Sequence, residues 1–420
     1  MNSLEDHRQL LRKEFPQLSK GQDQTNSNSI VFLDNAAGSL VPRRVIEAIS
    51  NVLTSRGVCN GMISYPWGLS QLELKSKAHD VTGMFINADS EEVSIGPSAT
   101  AMAFRLSAAL SRRLVLGDAV VVSGLEHECN ASPWRELPTG VELRIWKAHL
   151  PEGDLRIADL ENLLADGKVK LVALTAASNA FGLRTDISSA AATAHAHGAE
   201  IIIDAVHGAP HNLPDVRQYD VDYLLFSPYK ICAPHLGVLY IRKALIANLD
   251  VPTLCFYDKT KASKFEYGTP QFELLAGWIA ALEYFVKNVG GASESENITR
   301  LGLEKAFAKV EELELPVKSA LVQGLVSIKG VTVFGSTKLE SRVGTVAFRV
   351  AGVQPAFVAK RLGEENIFVS AGDFYARMPC DLFNVLPEGV VRVSIAHYTS
   401  LEDIERLLLA VTTIAGEANG

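Results

Sequence analysis

The chain lacks any run of about 20 apolar residues, which is the length that a membrane-spanning helix requires. Its first residues, MNSLEDHRQLLRKEFPQL, alternate charges with Leu and Phe and therefore lack the continuous apolar core of a signal peptide. Lysine and arginine number 40 against 48 aspartates and glutamates, so the chain has no excess of positive charge for nucleic acid. These absences favour a soluble cytoplasmic protein that binds a small molecule, with neither a membrane nor a nucleic acid as partner.

Cysteine is also scarce, and its spacing is uninformative. The five cysteines are an odd number without CxxC spacing: Cys59, Cys129, Cys232, Cys255 and Cys380. Neither a disulfide framework nor a zinc site is indicated by such a pattern. We therefore expect reduced thiols and no metal site.

The length and the composition are those of a globular enzyme. Hydrophobic residues make up 47% and charged residues 21% of the 420 residues, a length that suggests more than one domain. Residues 1–29 are predicted to form an amphipathic arm followed by a polar linker, KGQDQTNSNS. A large domain is expected over 30–270 and a smaller C-terminal domain over 271–420.

Short apolar runs alternate with helical patterns in the first half of the chain. The candidate strands, which are apolar and bounded by turn residues, are 119–123, 171–175, 201–204, 223–226 and 238–241. This alternation predicts an α/β domain with a mainly parallel sheet, whose ligands gather at the carboxyl ends of the strands. After residue 270, long helical patterns and the strand-like runs GTVAFRV and VVRVSIAH indicate an α+β domain. We expect the active site between the two domains.

Two charged residues follow neighbouring strands. Asp204 ends the run EIIID, and Lys230 lies in SPYK, on the turn after the next apolar strand. Pyridoxal 5′-phosphate (PLP) chemistry needs a lysine for a Schiff base and an acid that keeps the pyridine nitrogen protonated. The stretch SIGPSATAMAFRLSAAL adds a turn and a helix start, where free N–H groups suit a phosphate. The pattern therefore predicts PLP as the cofactor.

Seven short motifs, together in this order, resemble the cysteine desulfurase branch of the class V aminotransferases. They are DNAAGS at 34–39, SAT at 98–100, EHECN at 126–130, SNAFG at 178–182, DAVH at 204–207, SPYK at 227–230 and FEYGTP at 265–270. The resemblance implies the PLP-dependent transferase fold, which is aspartate aminotransferase-like and called fold type I. It also implies that Lys230 forms the internal aldimine, that Asp204 pairs with the pyridinium nitrogen and that His127 stacks on the ring.

The resemblance also implies the remaining binding residues. Those expected to hold the phosphate or the phenolic side of PLP are Ala99, Thr100, Ser227, Asn179 and His207. Thr269 is expected to reach the phosphate of the neighbouring subunit, which implies a homodimer. Arg392 matches the arginine that binds the substrate α-carboxylate, a task for which its planar fork is suited. The other residues expected at a small amino-acid substrate are Asn35, Ala36, Asp373 and Tyr375.

One loop departs from the family pattern. Desulfurases accept sulfur on a cysteine in a loop that reads roughly R-x-G-H-H-C-A, and the corresponding stretch here is VSAGDFYA at 369–376. Tyr375 falls on the cysteine position, and a phenol forms no persulfide. Cys380 lies further on, but the following Asp381 disfavours its thiolate. Persulfide formation is therefore not expected.

The leading hypothesis is a PLP enzyme that labilises a bond of an amino-acid external aldimine, through a carbanion or quinonoid, without a protein thiol. Lyase or decarboxylative carbon–carbon bond-forming chemistry is favoured, with Asp373 or Tyr375 shaping the side-chain pocket or acting as acid or base. The alternatives are an aminotransferase, a desulfurase that uses Cys380, and a non-catalytic scaffold. Retention of Lys230, Asp204, His127 and Arg392 argues against a scaffold.

Overall fold

The computed structural model of the protein describes residues 4–19 and 29–419, so the predicted linker lies outside the described residues except for Ser29. The strands are β1 Val31–Phe32, β2 Val93–Gly96, β3 Ala119–Ser123, β4 Glu142–Trp146, β5 Val169–Thr175, β6 Glu200–Asp204, β7 Tyr223–Phe226, β8 Gly237–Ile241, β9 Val331–Val333, β10 Thr345–Val350, β11 Ile367–Phe368, β12 Ser370–Gly372 and β13 Val390–Ser394. The α-helices are α1 Leu4–Arg12, α2 Pro16–Ser19, α3 Arg43–Arg56, α4 Pro66–Ile86, α5 Ala99–Ser111, α6 Ile157–Leu164, α7 Ile187–Ala196, α8 Val216–Tyr219, α9 Lys243–Ile246, α10 Phe272–Tyr284, α11 Arg300–Ser327, α12 Pro355–Glu364, α13 Arg377–Leu382 and α14 Leu401–Asn419.

A seven-stranded sheet forms the larger layer, in the order β2-β8-β7-β6-β5-β3-β4. Strand β8 runs antiparallel to both of its neighbours, and the remaining pairs are parallel. The predicted α/β fold with a mainly parallel sheet is therefore confirmed. The strands missing from the prediction are β2, which is short, and β4, an edge strand whose sequence ELRIW is half polar.

Both faces of this sheet are buried, because successive side chains of a strand point to opposite faces. Ile201 and Ile203 of β6 face a core that includes Trp278 of α10, whereas Ile202 faces a core that includes Leu106 of α5. Continuous apolar runs such as EIIID are typical of strands covered by helices on both sides. This burial on both faces explains why these strands could be predicted from apolar runs in the sequence.

A second sheet, in the order β12-β13-β10-β9, is antiparallel and packs against α11, α12 and α14. Helix α10 and the first half of α11 contribute to the core of the large sheet, and the second half of α11 contributes to that of the small sheet. The division into domains at residue 270 stays a prediction. Within the described residues, no helix combines the length and the apolarity needed to cross a membrane.

Candidate active site

The predicted acid and lysine follow two adjacent parallel strands. Asp204 is the last residue of β6 and is 2% exposed, and Lys230 lies in the turn that follows β7 and is 8% exposed. Burial lowers the pKa of Lys230 to about 8, Arg392 acts in the same direction, and Asp204 opposes them. Lys230 therefore supplies a neutral amine, the nucleophilic form, at a lower pH than an exposed lysine would.

His127 lies at the start of the turn that follows β3. Its Nδ1 accepts the N–H of Cys129 at 2.9 Å, so a neutral ring carries its proton on Nε2. Burial lowers the pKa of His127, with Lys230 and Arg392 adding to the effect and Asp204 opposing it. The structure thus brings His127 into the electrostatic environment of Asp204, Lys230 and Arg392.

The start of helix α5 forms a candidate anion site. Ser98 caps this helix by accepting the N–H of Ala101 at 3.1 Å, which leaves the N–H groups of Ala99 and Thr100 at the open end. Gly237 is required here because a Cβ at that position would lie 2.0 Å from the carbonyl carbon of Ser98. The close approach of β8 to this turn shapes a backbone cradle of the kind that holds phosphate.

Asn179 Oδ1 and His207 Nδ1 are among the buried polar atoms that have no hydrogen-bond partner in the described residues. The other ring nitrogen of His207 lies 3.0 Å from Thr345 Oγ1, and burial together with Lys230 holds the pKa of His207 well below its usual value. Unpaired buried polar atoms are costly unless a ligand satisfies them. With an amine, an acid and an anion cradle nearby, these residues fit PLP.

Ser227 lies directly after β7 and is buried, and its contact with the phosphate stays a prediction. Thr269, by contrast, is exposed and lines a cavity of about 260 Å³ beside Pro97 and Ala101 of the same chain. Whether Thr269 reaches a neighbouring subunit stays a prediction. In the part of the chain that the structure describes, no three His, Cys, Asp or Glu side chains cluster closely enough to hold a metal ion.

Arg392, in the middle of β13, is 3% exposed and already has partners. Its Nη2 donates to Asp34 Oδ1 at 3.0 Å, and its Nη1 donates to the Asn179 carbonyl at 3.2 Å. The ring of Phe374 lies 3.9 Å from the guanidinium carbon, and Arg392 Nε has no partner among the described residues. The sequence prediction assigns no site role to Asp34 or Phe374, although Asp34 begins the DNAAGS motif and Phe374 lies in the VSAGDFYA loop.

Two residues expected at the substrate have other partners. The side-chain amide of Asn35 donates to the Ser394 carbonyl at 2.8 Å, and its oxygen accepts a short hydrogen bond from the Tyr398 hydroxyl. The N–H of Ala36 donates to Ser394 Oγ at 2.6 Å. These bonds join the segment after β1 to β13 and thereby help to place Arg392. Direct substrate contact by Asn35 and Ala36 stays a prediction.

The loop that departs from the family pattern, residues 369–376, is hydrogen-bonded to residues of the site. Phe374 and Tyr375 both adopt left-handed backbone conformations, with φ of 56° and 54°. Asn179 Nδ2 donates to the Phe374 carbonyl at 2.9 Å, and the N–H of Glu128 donates to the Tyr375 carbonyl at 2.8 Å. Tyr375 is 75% exposed, with its ring 5.9 Å from that of His127. The Asp373 carboxylate accepts the Tyr375 N–H at 3.1 Å, which stabilises the tight turn.

Cys380 faces away from solvent. It lies in α13, is 0% exposed, and its sulfur is 3.6 Å from the Asp373 carbonyl oxygen. Burial, reinforced by Asp373, raises the pKa of Cys380 to about 12. A thiolate at this position is therefore disfavoured near neutral pH.

The chain is similar over most of its length to a known protein family and to several known proteins. The family model described as "Aminotransferase class-V" matches residues 31–407. A probable cysteine desulfurase of Halalkalibacterium halodurans is 30% identical, with 94% of this chain and 95% of that protein covered. An aminotransferase-like protein of Gibberella zeae is 29% identical over 96% of this chain and 97% of its own length.

Solved structures support the fold. The apo structure of a cysteine desulfurase from Thermococcus onnurineus NA1 superposes with a TM-score of 0.86 at 24% identity, covering 99% of both chains. An Escherichia coli cysteine desulfurase superposes with a TM-score of 0.82 at 24% identity, covering 98% of both chains. The described chain therefore has the fold type I architecture that its motifs predicted.

Proposed function

The chain belongs to the class-V aminotransferase family, whose members are PLP-dependent, and from that premise we propose that it is an enzyme that breaks a bond of a small α-amino acid without using a protein thiol. Lyase chemistry or decarboxylative carbon–carbon bond formation fits the site best. Bound PLP supplies an electron sink for negative charge that develops on the substrate. The protein decides which bond reacts by orienting the amino acid.

The chain's own residues divide this task. Lys230 would bind the cofactor covalently, and its Nζ would carry protons, which its lowered pKa permits near neutral pH. Asp204 would hold a proton at the pyridine nitrogen of bound PLP, and His127 would lie against the ring. Arg392 orients the substrate through its α-carboxylate, and Asp34 together with Phe374 keeps the guanidinium in place.

The loop at Asp373–Tyr375 is the observation that carries the proposal. It presents an exposed phenol above His127, where a sulfur-accepting desulfurase would need a thiol, while Cys380 is buried and kept protonated. The thiol of Cys129 is also engaged in a hydrogen bond, because its sulfur donates to Asp204 Oδ2 at 3.1 Å. Chemistry that ends in release of CO2 or of a β-substituent requires no thiol acceptor.

The proposal is tested by incubating the holoenzyme with a panel of amino acids and measuring CO2, pyruvate, sulfide and keto acids. We expect CO2 or an eliminated side-chain product with at least one amino acid, and no persulfide on the protein by mass spectrometry. A keto acid formed only with an amino-group acceptor would instead establish an aminotransferase, the function suggested by the name of the Gibberella zeae relative.

Replacing Cys380 by serine is expected to leave every product of the panel within about twofold of wild type, because a buried thiol outside the reaction contributes only packing. Cys255→Ser, which changes an exposed cysteine, is the matched control. Sulfide release that persists in Cys255→Ser and disappears in Cys380→Ser would contradict the proposal and establish desulfuration.

We also propose that the enzyme is a homodimer in which Thr269 contributes to the partner's site. Tyr267, two residues before Thr269, is an exposed apolar side chain, as are Phe256, Ile63 just before α4 and Trp67 at the start of α4. Apolar surface of this kind is typical of an interface. Sedimentation equilibrium of the wild type is expected to give twice the chain mass; a wild type that is monomeric and binds PLP would contradict the role of Thr269.

Covalent capture of PLP by the apoprotein is expected to depend on pH in the way that the pKa of Lys230 dictates. Only the neutral amine reacts, so the rate should rise with pH and level off above about 8. A free lysine would level off only above about 10.4. Stopped-flow absorbance across this range measures the rate, and an inflection near that of free lysine would contradict the environment described for Lys230.

A further inference from the structure

Cys129 contacts both protein groups that are expected to touch the cofactor ring. Its sulfur lies 3.1 Å from Asp204 Oδ2, and its backbone N–H donates to His127 Nδ1 at 2.9 Å. All three residues sit at the carboxyl ends of β3 and β6, and Cys129 and Asp204 are buried. One residue thus connects the His127 imidazole to the Asp204 carboxylate.

The direction of the contact follows from the chemistry of the two groups. A carboxylate oxygen accepts and a protonated thiol donates, so the hydrogen bond runs from Cys129 Sγ to Asp204 Oδ2. Burial is the largest of the effects that raise the pKa of Cys129 well above its usual value, and Asp204 adds to it, so the sulfur keeps its proton. A protonated thiol at this distance is a hydrogen-bond donor to Asp204.

The second carboxylate oxygen of Asp204 also has a donor, since Oδ1 accepts the N–H of Val206 at 2.8 Å. One donor on each oxygen fixes the plane of the carboxylate and prevents its rotation. Each carboxylate oxygen can accept more than one hydrogen bond, so capacity remains for a ring nitrogen. The Val206 donor belongs to the backbone, whereas the Cys129 donor depends on the side chain.

We propose that Cys129 is a positioning residue whose thiol holds the carboxylate of Asp204 in the orientation that pairs with the pyridine nitrogen of PLP. The inference rests on the proposed function, because it assumes that Asp204 meets the cofactor. The role needs a hydrogen-bond donor at residue 129, and serine provides one whereas alanine does not. Cys129 reacts with nothing in this role and takes up no sulfur.

The contact itself is tested on the apoprotein by infrared spectroscopy of the S–H stretching band. The S–H band of Cys129 is the band that is absent from the spectrum of Cys129→Ser. The assignment of this band therefore does not depend on whether Cys129→Ala folds. In Asp204→Ala this band is expected to move to higher frequency, since the acceptor is removed. An unchanged band would overturn the proposal, and this result does not depend on whether PLP binds.

The consequence is tested by PLP titration of the folded variants. Cys129→Ala is expected to bind PLP about tenfold more weakly than wild type and to change the absorbance maximum of the bound cofactor, whereas Cys129→Ser stays within about twofold. Cys380→Ala, which removes a buried thiol facing a backbone carbonyl, is the matched control and should match wild type. Wild-type affinity and spectrum in Cys129→Ala would overturn the proposal. Failure of the wild type to bind PLP would instead refute the proposed function.

Discussion

The Lys230→Ala enzyme is expected to lose covalently bound PLP and to turn over its substrate at least about a thousandfold more slowly than wild type. Lys230 is buried, and its lowered pKa makes the amine available as a nucleophile and as a proton carrier. Alanine removes both functions.

Borohydride reduction followed by peptide mass spectrometry measures the covalent attachment. The wild type should carry reduced PLP on the Lys230 peptide, and Lys230→Ala should carry none. Lys230→Arg keeps a positive charge but no reactive amine, so it is expected to fail as fully as alanine. Turnover of either variant within tenfold of wild type, or trapped PLP on another lysine, would show that Lys230 has been wrongly assigned.

Replacing Arg392 by alanine is expected to lower kcat/KM for the amino-acid substrate by roughly 150-fold, which corresponds to about 3 kcal/mol for loss of a buried, charge-assisted carboxylate contact. The effect should appear mainly in KM, because Arg392 binds the substrate in the ground state. Arg392→Lys is expected to recover only part of this loss, since an ammonium cannot form the bidentate bond of a guanidinium.

Two controls separate substrate binding from structural damage. An amine that lacks the α-carboxylate should bind equally to wild type and Arg392→Ala. Asp34→Asn keeps a polar partner for Arg392 and should reduce kcat/KM less than the arginine substitution does. The affinity for PLP is expected to stay near that of the wild type in Arg392→Ala and in Asp34→Asn. Equal loss of affinity for the amine and for the amino acid would contradict carboxylate recognition by Arg392.

The arrangement of Asp204 and Lys230 could be predicted because it depends on local sequence and on one general rule. Asp204 and Lys230 each come at or after the end of an apolar run whose length and β-branched residues are typical of a buried strand. In the structure these two strands, β6 and β7, are adjacent and parallel. The carboxyl ends of parallel strands meet at one edge of a sheet. The cofactor and the fold followed from this arrangement and from the family motifs.

The surroundings of Arg392 could not be predicted in the same way. Asp34 lies 358 residues before it, and a single sequence carries no signal for a pairing at that separation. The DNAAGS motif predicts substrate contact for Asn35, and the structure adds that its amide donates to the Ser394 carbonyl and its oxygen accepts from the Tyr398 hydroxyl. A motif identifies a segment, but the tertiary contacts decide what each side chain in it does.

The sequence by itself determined the α/β architecture, the PLP-dependent family, the strand-end placement of Asp204 and Lys230, and the lack of cysteine at the tip of the 369–376 loop. Only the tertiary structure decided that Cys380 is buried, that Phe374 covers Arg392 and that Cys129 donates to Asp204. The reason is physical. Secondary structure follows from periodicity over neighbouring residues, whereas the burial, the pKa and the partner of a side chain depend on which distant segments the fold brings against it.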